Sequence, residues 1–297
     1  MQKNKPNSFR AWVWSSRPKT LIGALIPVTM GSVLAYADGK FHWLPAFICA
    51  AFACLMQIAA NLINDFYDYL KGIDKEDRIG PERATTQGWI TPKAMKTGIT
   101  GILIAACATG SFLLFYGGWE LLFIGVLCLL FAYLYTGGPY PLSYCGAGDL
   151  LVIVFFGFVP VCGTYYVQAL TLTADAFIAS LVSGLTIDTM LIINNYRDRD
   201  SDKKSNKRTL IVRFGEPFGR YLYLLMGMVA SLLCFLFLAG GNLYAALLPQ
   251  LYIIPHFITW RKMVRIHAGK ALNTIFGETV RNMLLMGLLV TAGLLLG

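Results

Sequence analysis

A run of amide and acidic side chains stands where a long apolar segment ends, at Asn61, Asn64, Asp65 and Asp68. Their i, i+3, i+4, i+7 spacing places them on one face of a helix. Crowded carboxylates repel one another, and the dipole at the C-terminal end of a helix also disfavours them, so a cation must compensate. Mg²⁺ takes hard oxygen ligands and bridges protein carboxylates to substrate phosphates. The run therefore predicts a magnesium site for a phosphorylated ligand.

A second run, "NNYRDRDSDKKSNKRTL", follows another apolar segment, and Asn195, Asp198 and Asp202 share one helical face in it. The repetition of the spacing argues against solvated loop charges that follow a membrane helix by chance. The predicted metal ligands are Asn64, Asp65, Asp68, Asn195, Asp198 and Asp202, and the four aspartates among them are also the predicted catalytic residues.

Basic side chains follow both runs, and guanidinium and ammonium groups bind phosphate oxygens that a metal leaves uncovered. The predicted diphosphate-binding residues are Arg78, Arg83, Lys207 and Arg208. The outer acids of the same stretches have two interpretations, as solvated loop charges or as part of the site; they are Asp74, Glu76, Asp77 and Asp200.

Asp188 lies on the second helix about 15 Å before Asp198, at 1.5 Å per residue, which places it near the bilayer midplane. An ionised carboxylate there costs on the order of 3 kcal/mol or more, so the side chain must face the interior of the bundle. Two interpretations stay open: a protonated or paired structural residue, or a pocket residue near the substrate.

The elements that carry these runs are membrane helices. Of the 297 residues, 56% are hydrophobic and only 14% charged, and the mean hydropathy is +0.58, which is typical of a polytopic membrane protein rather than a soluble domain. The predicted fold is an all-α bundle of nine transmembrane helices with both motifs on the cytoplasmic face. The predicted spans are roughly 20–38, 43–64, 97–117, 119–136, 150–170, 174–196, 219–240, 243–260 and 277–296.

All Lys and Arg residues except Lys40 fall on or beside alternate connections of this plan. The positive-inside rule then places the N-terminus in the cytoplasm and the C-terminus outside, in the cytoplasmic (inner) membrane. Topology thus accounts for the net charge of +9 with the lipid bilayer as partner, and no nucleic acid is required. The seven cysteines lack metal-type spacing, so neither a disulfide nor a zinc site is expected.

The two runs also predict an internal duplication within a single domain, residues 1–297, with corresponding parts around 43–96 and 174–215. Four predicted helices separate the motifs, so both emerge on the same side of the membrane. An inverted repeat of the kind common in transporters would place them on opposite sides.

Taken together, these motifs resemble the UbiA superfamily of intramembrane aromatic prenyltransferases. "NDFYDYLKGIDKEDRIGPERATTQGWI" and "NNYRDRDSDKKSNKRTLIVRFG" resemble the two aspartate-rich motifs of its 1,4-dihydroxy-2-naphthoate branch. "WSSRPKTLIGALIPVTMG" and "LYTGGPYPLSYCGAGDLLVIVFFG" are similar to that branch's N-terminal and middle segments. Gly72 replaces an Asp of the general motif, as in that branch, whereas Ser205-Asn206 depart from the small residue and glycine often found before "KRT".

The resemblance implies a nine-helix prenyltransferase that uses Mg²⁺, a polyprenyl diphosphate and 1,4-dihydroxy-2-naphthoate. Ionisation leaves an allylic cation, which aromatic faces could stabilise. Tyrosines near helix ends have a second interpretation as interface anchors, and Arg17 and Lys19 could either contact substrate or act as positive-inside anchors. The candidates for the acceptor or cation pocket are Arg17, Lys19, Tyr133, Tyr135, Tyr140, Asp149, Tyr165 and Asp188.

Two alternatives remain. The first is a member of the same superfamily that prenylates another aromatic acceptor, such as 4-hydroxybenzoate; the "GPERATTQG" and "KRTLIVRFG" stretches disfavour it. The second is a cation-coupled transporter, but its path would need polar sites across the membrane, and here the carboxylates cluster on one side. The sequence predicts neither the prenyl chain length nor the oligomeric state.

Overall fold

The computed structural model describes residues 5–72 and 79–297, and these residues form helices without any β-strand. Arg78 belongs to 73–78, outside the described residues, so its predicted role stays a prediction. The α-helices are α1 (Phe9–Ser16), α2 (Pro18–Ala37), α3 (Trp43–Leu70), α4 (Pro92–Ser111), α5 (Leu114–Gly117), α6 (Glu120–Thr136), α7 (Gly148–Ile153), α8 (Val159–Ala169), α9 (Ala174–Lys204), α10 (Leu210–Phe214), α11 (Glu216–Leu233), α12 (Leu243–Leu247), α13 (Ile253–Ile266) and α14 (Leu272–Leu296).

Within the described residues, seven helical segments are long and apolar enough to cross a membrane, which makes this a multi-pass membrane protein. They are Pro18–Ala37, Trp43–Leu70, Pro92–Gly117, Gly148–Ala169, Ala174–Lys204, Glu216–Gly240 and Leu272–Leu296. The apolar helix α6 is shorter, at 17 residues.

The nine predicted spans are therefore not confirmed, and the eighth shows why. The stretch predicted as one helix over 243–260 contains α12, a 3₁₀ segment at Leu248–Tyr252 and the first part of α13. Pro249 and Pro255 lie in this stretch, and proline has no N–H to donate to the preceding turn. Apolar composition predicted its place in the membrane but did not show that the helix is broken.

The core of the bundle is built around α9, which packs against α2, α7, α8, α11 and α14. Small residues allow the closest of these approaches. A Cβ added to Gly157 would lie 2.4 Å from the carbonyl oxygen of Ser180, and one added to Gly184 would lie 2.9 Å from Cα of Ile153. Glycine at these positions permits the backbone contact between α9 and the segment from α7 to α8 that membrane helices favour.

The two acidic motifs occupy the C-terminal ends of the two longest helices. Helix α3 has 28 residues and α9 has 31. At about 1.5 Å per residue both exceed the roughly 30 Å hydrocarbon thickness of a bilayer. Their polar ends can therefore extend beyond the hydrocarbon region while the apolar parts remain within it.

Candidate active site

A cavity of about 570 Å³ lies between α2, α3, α6, the α7–α8 segment and α9. Most of its wall is apolar. Apart from Ser111 and Thr164, its polar side chains gather near the acidic motifs; they are Arg17, Thr20, Gln57, Asn61, Asn64, Tyr135 and Asn194. A cavity with a long apolar part and a polar end suits an amphiphilic ligand whose head is polar and whose tail is hydrocarbon.

Asn64 and Asn194 are the motif residues that line this cavity. Each stands four positions before an aspartate of its own helix, Asp68 or Asp198, and so shares a face with it. The predicted ligand Asn195 is 6% exposed and does not line the cavity wall. Asp68, Asp198 and Asp202 do not line the wall either, so the ligand role of Asn195 stays a prediction. Asn194 is a further candidate that the sequence prediction did not include, and the i, i+4 register common to both motifs was the signal for it.

Three of the four predicted aspartates form ion pairs with basic side chains. Arg83 pairs with Asp68 and also donates to Oδ1 of Asn64 at 2.7 Å. Nζ of Lys207 lies 3.3 Å from both carboxylate oxygens of Asp202.

Asp198 pairs with the adjacent Arg197, with N–O distances of 2.7 and 2.8 Å. The structure thus brings the predicted phosphate-binding residues Arg83 and Lys207 directly to the acids. The side chain of Arg208 is exposed, and its backbone N–H donates to the carbonyl oxygen of Tyr144 at 2.9 Å.

Asp65 has different partners from the other three aspartates. It is 2% exposed, and its two oxygens accept backbone N–H groups across the fold, Oδ2 from Ala84 at 2.9 Å and Oδ1 from Thr85 at 3.0 Å. Asp65 was predicted as a catalytic metal ligand, but in this structure both of its oxygens are engaged by the loop that follows α3. The carboxylate of Asp65 is therefore directed to this loop, whereas Asn64 lies on the cavity wall and Asp68 pairs with Arg83.

The described part of that loop is attached to the second acidic helix as well. Asn273, at the start of α14, donates its amide to the carbonyl oxygen of Ile79 at 3.0 Å and accepts from Arg197 at 3.0 Å. Arg197 in turn holds Asp198. Residues 79–90 therefore connect the ends of α3 and α9, which sequence reasoning missed because Asn273 lies far from both motifs in the chain.

Lys71 and Tyr144 also lie beside the acids, although neither was predicted. Nζ of Lys71 donates to the carbonyl oxygen of Thr136 at 2.6 Å and lies 4.6 Å from the ring centroid of Tyr144. Burial lowers the pKa of Lys71, against the opposing effect of Asp68. Burial, with the charges of Asp68 and Asp202, raises the pKa of Tyr144, so its hydroxyl stays neutral and can donate near both motifs.

Of the candidates for the acceptor or cation pocket, Arg17 and Tyr135 line the cavity. Arg17 joins α1 to α2 with a φ of 52°, a conformation that non-glycine residues seldom adopt. Asn61 supports this junction by donating to the carbonyl oxygen of Ser16 and to Oγ1 of Thr20, both at 2.9 Å. The bend therefore directs Arg17 into the polar end of the cavity.

The other candidates lie elsewhere. Lys19 is exposed, Tyr140 is 88% exposed, and Tyr133 packs edge-on against Tyr67. Tyr165 is buried and donates to Asp38 at the end of α2 remote from Arg17.

Asp149 and Asp188 are buried and do not line the cavity. Neither oxygen of Asp188 has a hydrogen-bond partner. This burial agrees with a carboxyl that faces the interior of the bundle, and both interpretations of Asp188 stay open.

The donor set fits Mg²⁺ that is shared with a ligand. No group of three His, Cys, Asp or Glu side chains in 5–72 and 79–297 could hold a metal ion by itself. Mg²⁺ characteristically uses one or two protein carboxylates and completes its octahedron with water and substrate phosphates. Asp68, Asp198 and Asp202 supply carboxylates, and Oδ2 of the buried Asp202 accepts no hydrogen bond although Lys207 is near it.

Comparison with known proteins gives the same assignment at the family level. The model of the UbiA prenyltransferase family matches residues 24–291. A relative in Escherichia coli (strain K12), 1,4-dihydroxy-2-naphthoate octaprenyltransferase, is 36% identical, with 100% of this chain and 98% of the relative covered. A protein of the same name in Mycobacterium tuberculosis is 37% identical over 77% of this chain and 78% of its own length.

Solved structures share the fold. A UbiA homolog from Aeropyrum pernix K1 superposes with a TM-score of 0.70 at 16% identity, covering 94% of this chain and 98% of its own. A UbiA homolog from Archaeoglobus fulgidus bound to GPP and Mg²⁺ gives a TM-score of 0.67 at 14% identity, covering 95% and 99%.

Proposed function

The chain belongs to the UbiA prenyltransferase family, and we propose that it transfers a polyprenyl group from polyprenyl diphosphate to 1,4-dihydroxy-2-naphthoate. The products are the prenylated demethylmenaquinol, diphosphate and CO₂. The observation that carries the proposal is the meeting of two amide-and-acid helix ends at the polar end of an apolar cavity. The names and lengths of the relatives support the naphthoate acceptor.

The proposed metal-binding residues are Asn64, Asp68, Asn194, Asp198 and Asp202. Mg²⁺ bound there would neutralise the diphosphate as its bond to the prenyl carbon breaks. Asn194 takes the place of the predicted Asn195 because it faces the cavity. Asp65 is omitted because both of its oxygens accept backbone N–H groups.

Arg83 and Lys207 are proposed to bind the diphosphate oxygens. Each is already held beside a predicted metal ligand, so a short movement of the side chain transfers it from carboxylate to phosphate. Charge-assisted hydrogen bonds of this kind favour the leaving diphosphate over the intact ester as negative charge develops. Arg208, with an exposed side chain, and Arg78, outside the described residues, are retained as further proposed phosphate contacts.

The cavity wall is proposed to protect the allylic cation and orient the acceptor. Apolar side chains exclude water, and Tyr135 lies on the wall, where an aromatic ring can stabilise a cation. Arg17 is the basic side chain on the described cavity wall, and it is proposed to bind the carboxylate of the aromatic acid. The ring carbon that bears this carboxylate attacks the prenyl carbon, and loss of CO₂ restores aromaticity without a base to remove a ring proton.

We also propose that the protein is a cell inner membrane enzyme with a cytoplasmic N-terminus and an outward-facing C-terminus. The distribution of Lys and Arg supports this orientation. It places the acidic motifs on the cytoplasmic side, where a water-soluble aromatic acid can enter while the polyprenyl tail remains in lipid.

The test is an acceptor assay with the purified chain in lipid vesicles, labelled isoprenyl diphosphate and Mg²⁺. 1,4-Dihydroxy-2-naphthoate and 4-hydroxybenzoate are supplied separately. We expect a labelled product and CO₂ release from the naphthoate alone. Product from the benzoate alone would overturn the assigned acceptor, and no product from either would overturn prenyl transfer to an aromatic acid.

A further inference from the structure

The loop after α3 presents Arg83 to the acidic motif, and its local conformation explains how. The backbone turns back at 84–88, where the N–H of Gln87 donates to the carbonyl oxygen of Arg83 at 3.0 Å and Gly88 adopts a φ of 68°. Arg83 is 5% exposed, and its guanidinium contacts Asn64 and Asp68. Its direction therefore depends on where this turn is fixed.

Asp65 fixes the turn from α3. The two N–H groups that its carboxylate accepts belong to Ala84 and Thr85, the residues immediately after Arg83. One oxygen is engaged by each N–H, so the carboxylate constrains both the position and the rotation of the backbone there. Asn273 holds the same loop at Ile79 from the opposite side of the site.

Coordination of a metal by Asp65 would conflict with these contacts. Asn64 lies on the face of α3 that lines the cavity, whereas Asp65 does not line it and directs its carboxylate to the amides of Ala84 and Thr85. Turning it toward that face would leave two backbone N–H groups without their acceptor in a buried place, which folded proteins avoid.

We propose that Asp65 is a positioning residue, which holds the backbone of Ala84 and Thr85 so that Arg83 meets the diphosphate, and that it does not bind the metal. This inference rests on the proposed function, because it assigns Arg83 a diphosphate partner. It divides the acids of the first motif by role: Asp68 for the cation, Asp65 for the loop that carries the arginine.

The first test needs no substitution. Hydrogen exchange of the amides of Ala84 and Thr85 is followed in the full-length protein in detergent, before and after addition of Mg²⁺ and inorganic diphosphate. If Asp65 positions the loop, both amides stay protected or become more protected on loading. Loss of their protection on loading would show that Asp65 has left them for the metal, and would overturn the inference.

The second test compares two isosteric substitutions, Asp65→Asn and Asp68→Asn, by calorimetric binding of inorganic diphosphate across a Mg²⁺ titration. We expect Asp65→Asn to weaken diphosphate binding roughly 10- to 100-fold, as loss of an orienting residue does, at an unchanged half-saturating Mg²⁺ concentration. Asp68→Asn should raise that concentration. If Asp65→Asn raises it equally, Asp65 is a metal ligand and the inference fails.

A third measurement tests whether Asp65 acts through Arg83. In an Arg83→Ala background, Asp65→Asn should change diphosphate affinity by less than about twofold, because the residue through which it acts is gone. An undiminished effect in that background contradicts the inference. Failure of the wild-type protein to bind Mg²⁺ and diphosphate would instead count against the proposed function, so the two failures are distinguishable.

Discussion

Asp68 and Asp198 occupy equivalent positions, each four residues after an asparagine on the cavity wall and each paired with an arginine. If they hold Mg²⁺ against diphosphate, neutralising either removes charge that the departing diphosphate requires. We expect Asp68→Asn or Asp198→Asn to lower prenyl transfer by about 10²-fold or more. Turnover in vesicles measures this.

The matched control is Asp200→Asn, which removes an exposed acid from the same helix end. Its turnover should stay near that of the wild type, and the melting temperature in detergent should report that all three variants are folded. Near-normal magnesium-dependent activity of the Asp68 or Asp198 variant would contradict the metal assignment.

Asn194 and Asn195 are adjacent and chemically identical, which makes them a sharp comparison. Only the first lines the cavity. We predict that Asn194→Ala raises the Mg²⁺ concentration for half-maximal turnover roughly 10- to 100-fold, whereas Asn195→Ala leaves it unchanged even if it lowers stability. The reverse pattern would return the ligand role to Asn195.

For individual residues, the sequence predicted which side chains cluster at the site better than it predicted where each side chain points. The proximity of Arg83 and Lys207 to the acids followed from charge and from the repeated motif, and the structure places both there. The partners of Asp65 could not be predicted, because they are backbone groups about 20 positions away. Helical periodicity assigned Asp65 and Asp68 to one broad stripe, and only the folded loop separates them.

The loop at 79–90 shows how one segment of backbone positions several residues of the site together. "GPERATTQGWI" resembled a family motif without a physical reason for each position. In the structure Arg83 reaches the acids, the next two amides bind Asp65, Gly88 closes the turn, and Trp89 packs edge-on against Trp14 at 6.1 Å. The motif thus joins the N-terminal helix to the site through one short segment.

Helix packing at the core gives a prediction at the same scale. A Cβ on Gly184 would lie 2.9 Å from both Cα and the carbonyl oxygen of Ile153, which are backbone atoms that cannot move independently. Gly184→Ala should therefore destabilise the fold by about 1–3 kcal/mol through overpacking. A lower midpoint of thermal unfolding in detergent is the expected result.

Gly101→Ala is the control for this substitution, since an added Cβ there meets nothing within 4 Å. Alanine is the better helix former by up to about 1 kcal/mol, so its unfolding midpoint should be equal to or above that of the wild type. A higher midpoint for Gly184→Ala as well would show that the contact with Ile153 relaxes without cost.

Composition predicted the all-helical membrane fold but could not predict how each span is built. Hydrophobicity reports where a segment prefers to lie, whereas proline and glycine decide whether it remains one α-helix. The segment from α7 to α8 contains a π-helical part at Val154–Phe158, which includes Gly157, and the 243–266 stretch changes helix type twice. Both stretches also pack against other helices, the first against α9 and the second against α14, and an apolar window along the chain does not contain these contacts.

For the molecule as a whole, the distribution of Lys and Arg predicts which side of the membrane the site faces. All Lys and Arg residues except Lys40 lie on, or in the helices beside, connections that the proposed topology places in the cytoplasm. Cys145, free and exposed, lies in the loop beside the acidic motifs, where its carbonyl oxygen accepts from Arg213 at 2.7 Å. It is thus a native reporter for the side on which the site opens.

We predict that a membrane-impermeant thiol reagent labels Cys145 in inverted inner-membrane vesicles and not in intact spheroplasts. Lys40→Cys in a Cys145→Ser background should show the opposite pattern, because Lys40 lies in the short connection between α2 and α3, at the other end of α3 from Asp68. Each position is the control for the other, since Cys145 lies near the end of α3 that carries Asp68 and position 40 lies near its opposite end. Labelling of Cys145 from outside would show that the orientation in the membrane is the reverse of the proposed one. The aromatic acid and the diphosphate would then have to reach the site from the exterior, against the positive-inside distribution on which the proposed orientation rests.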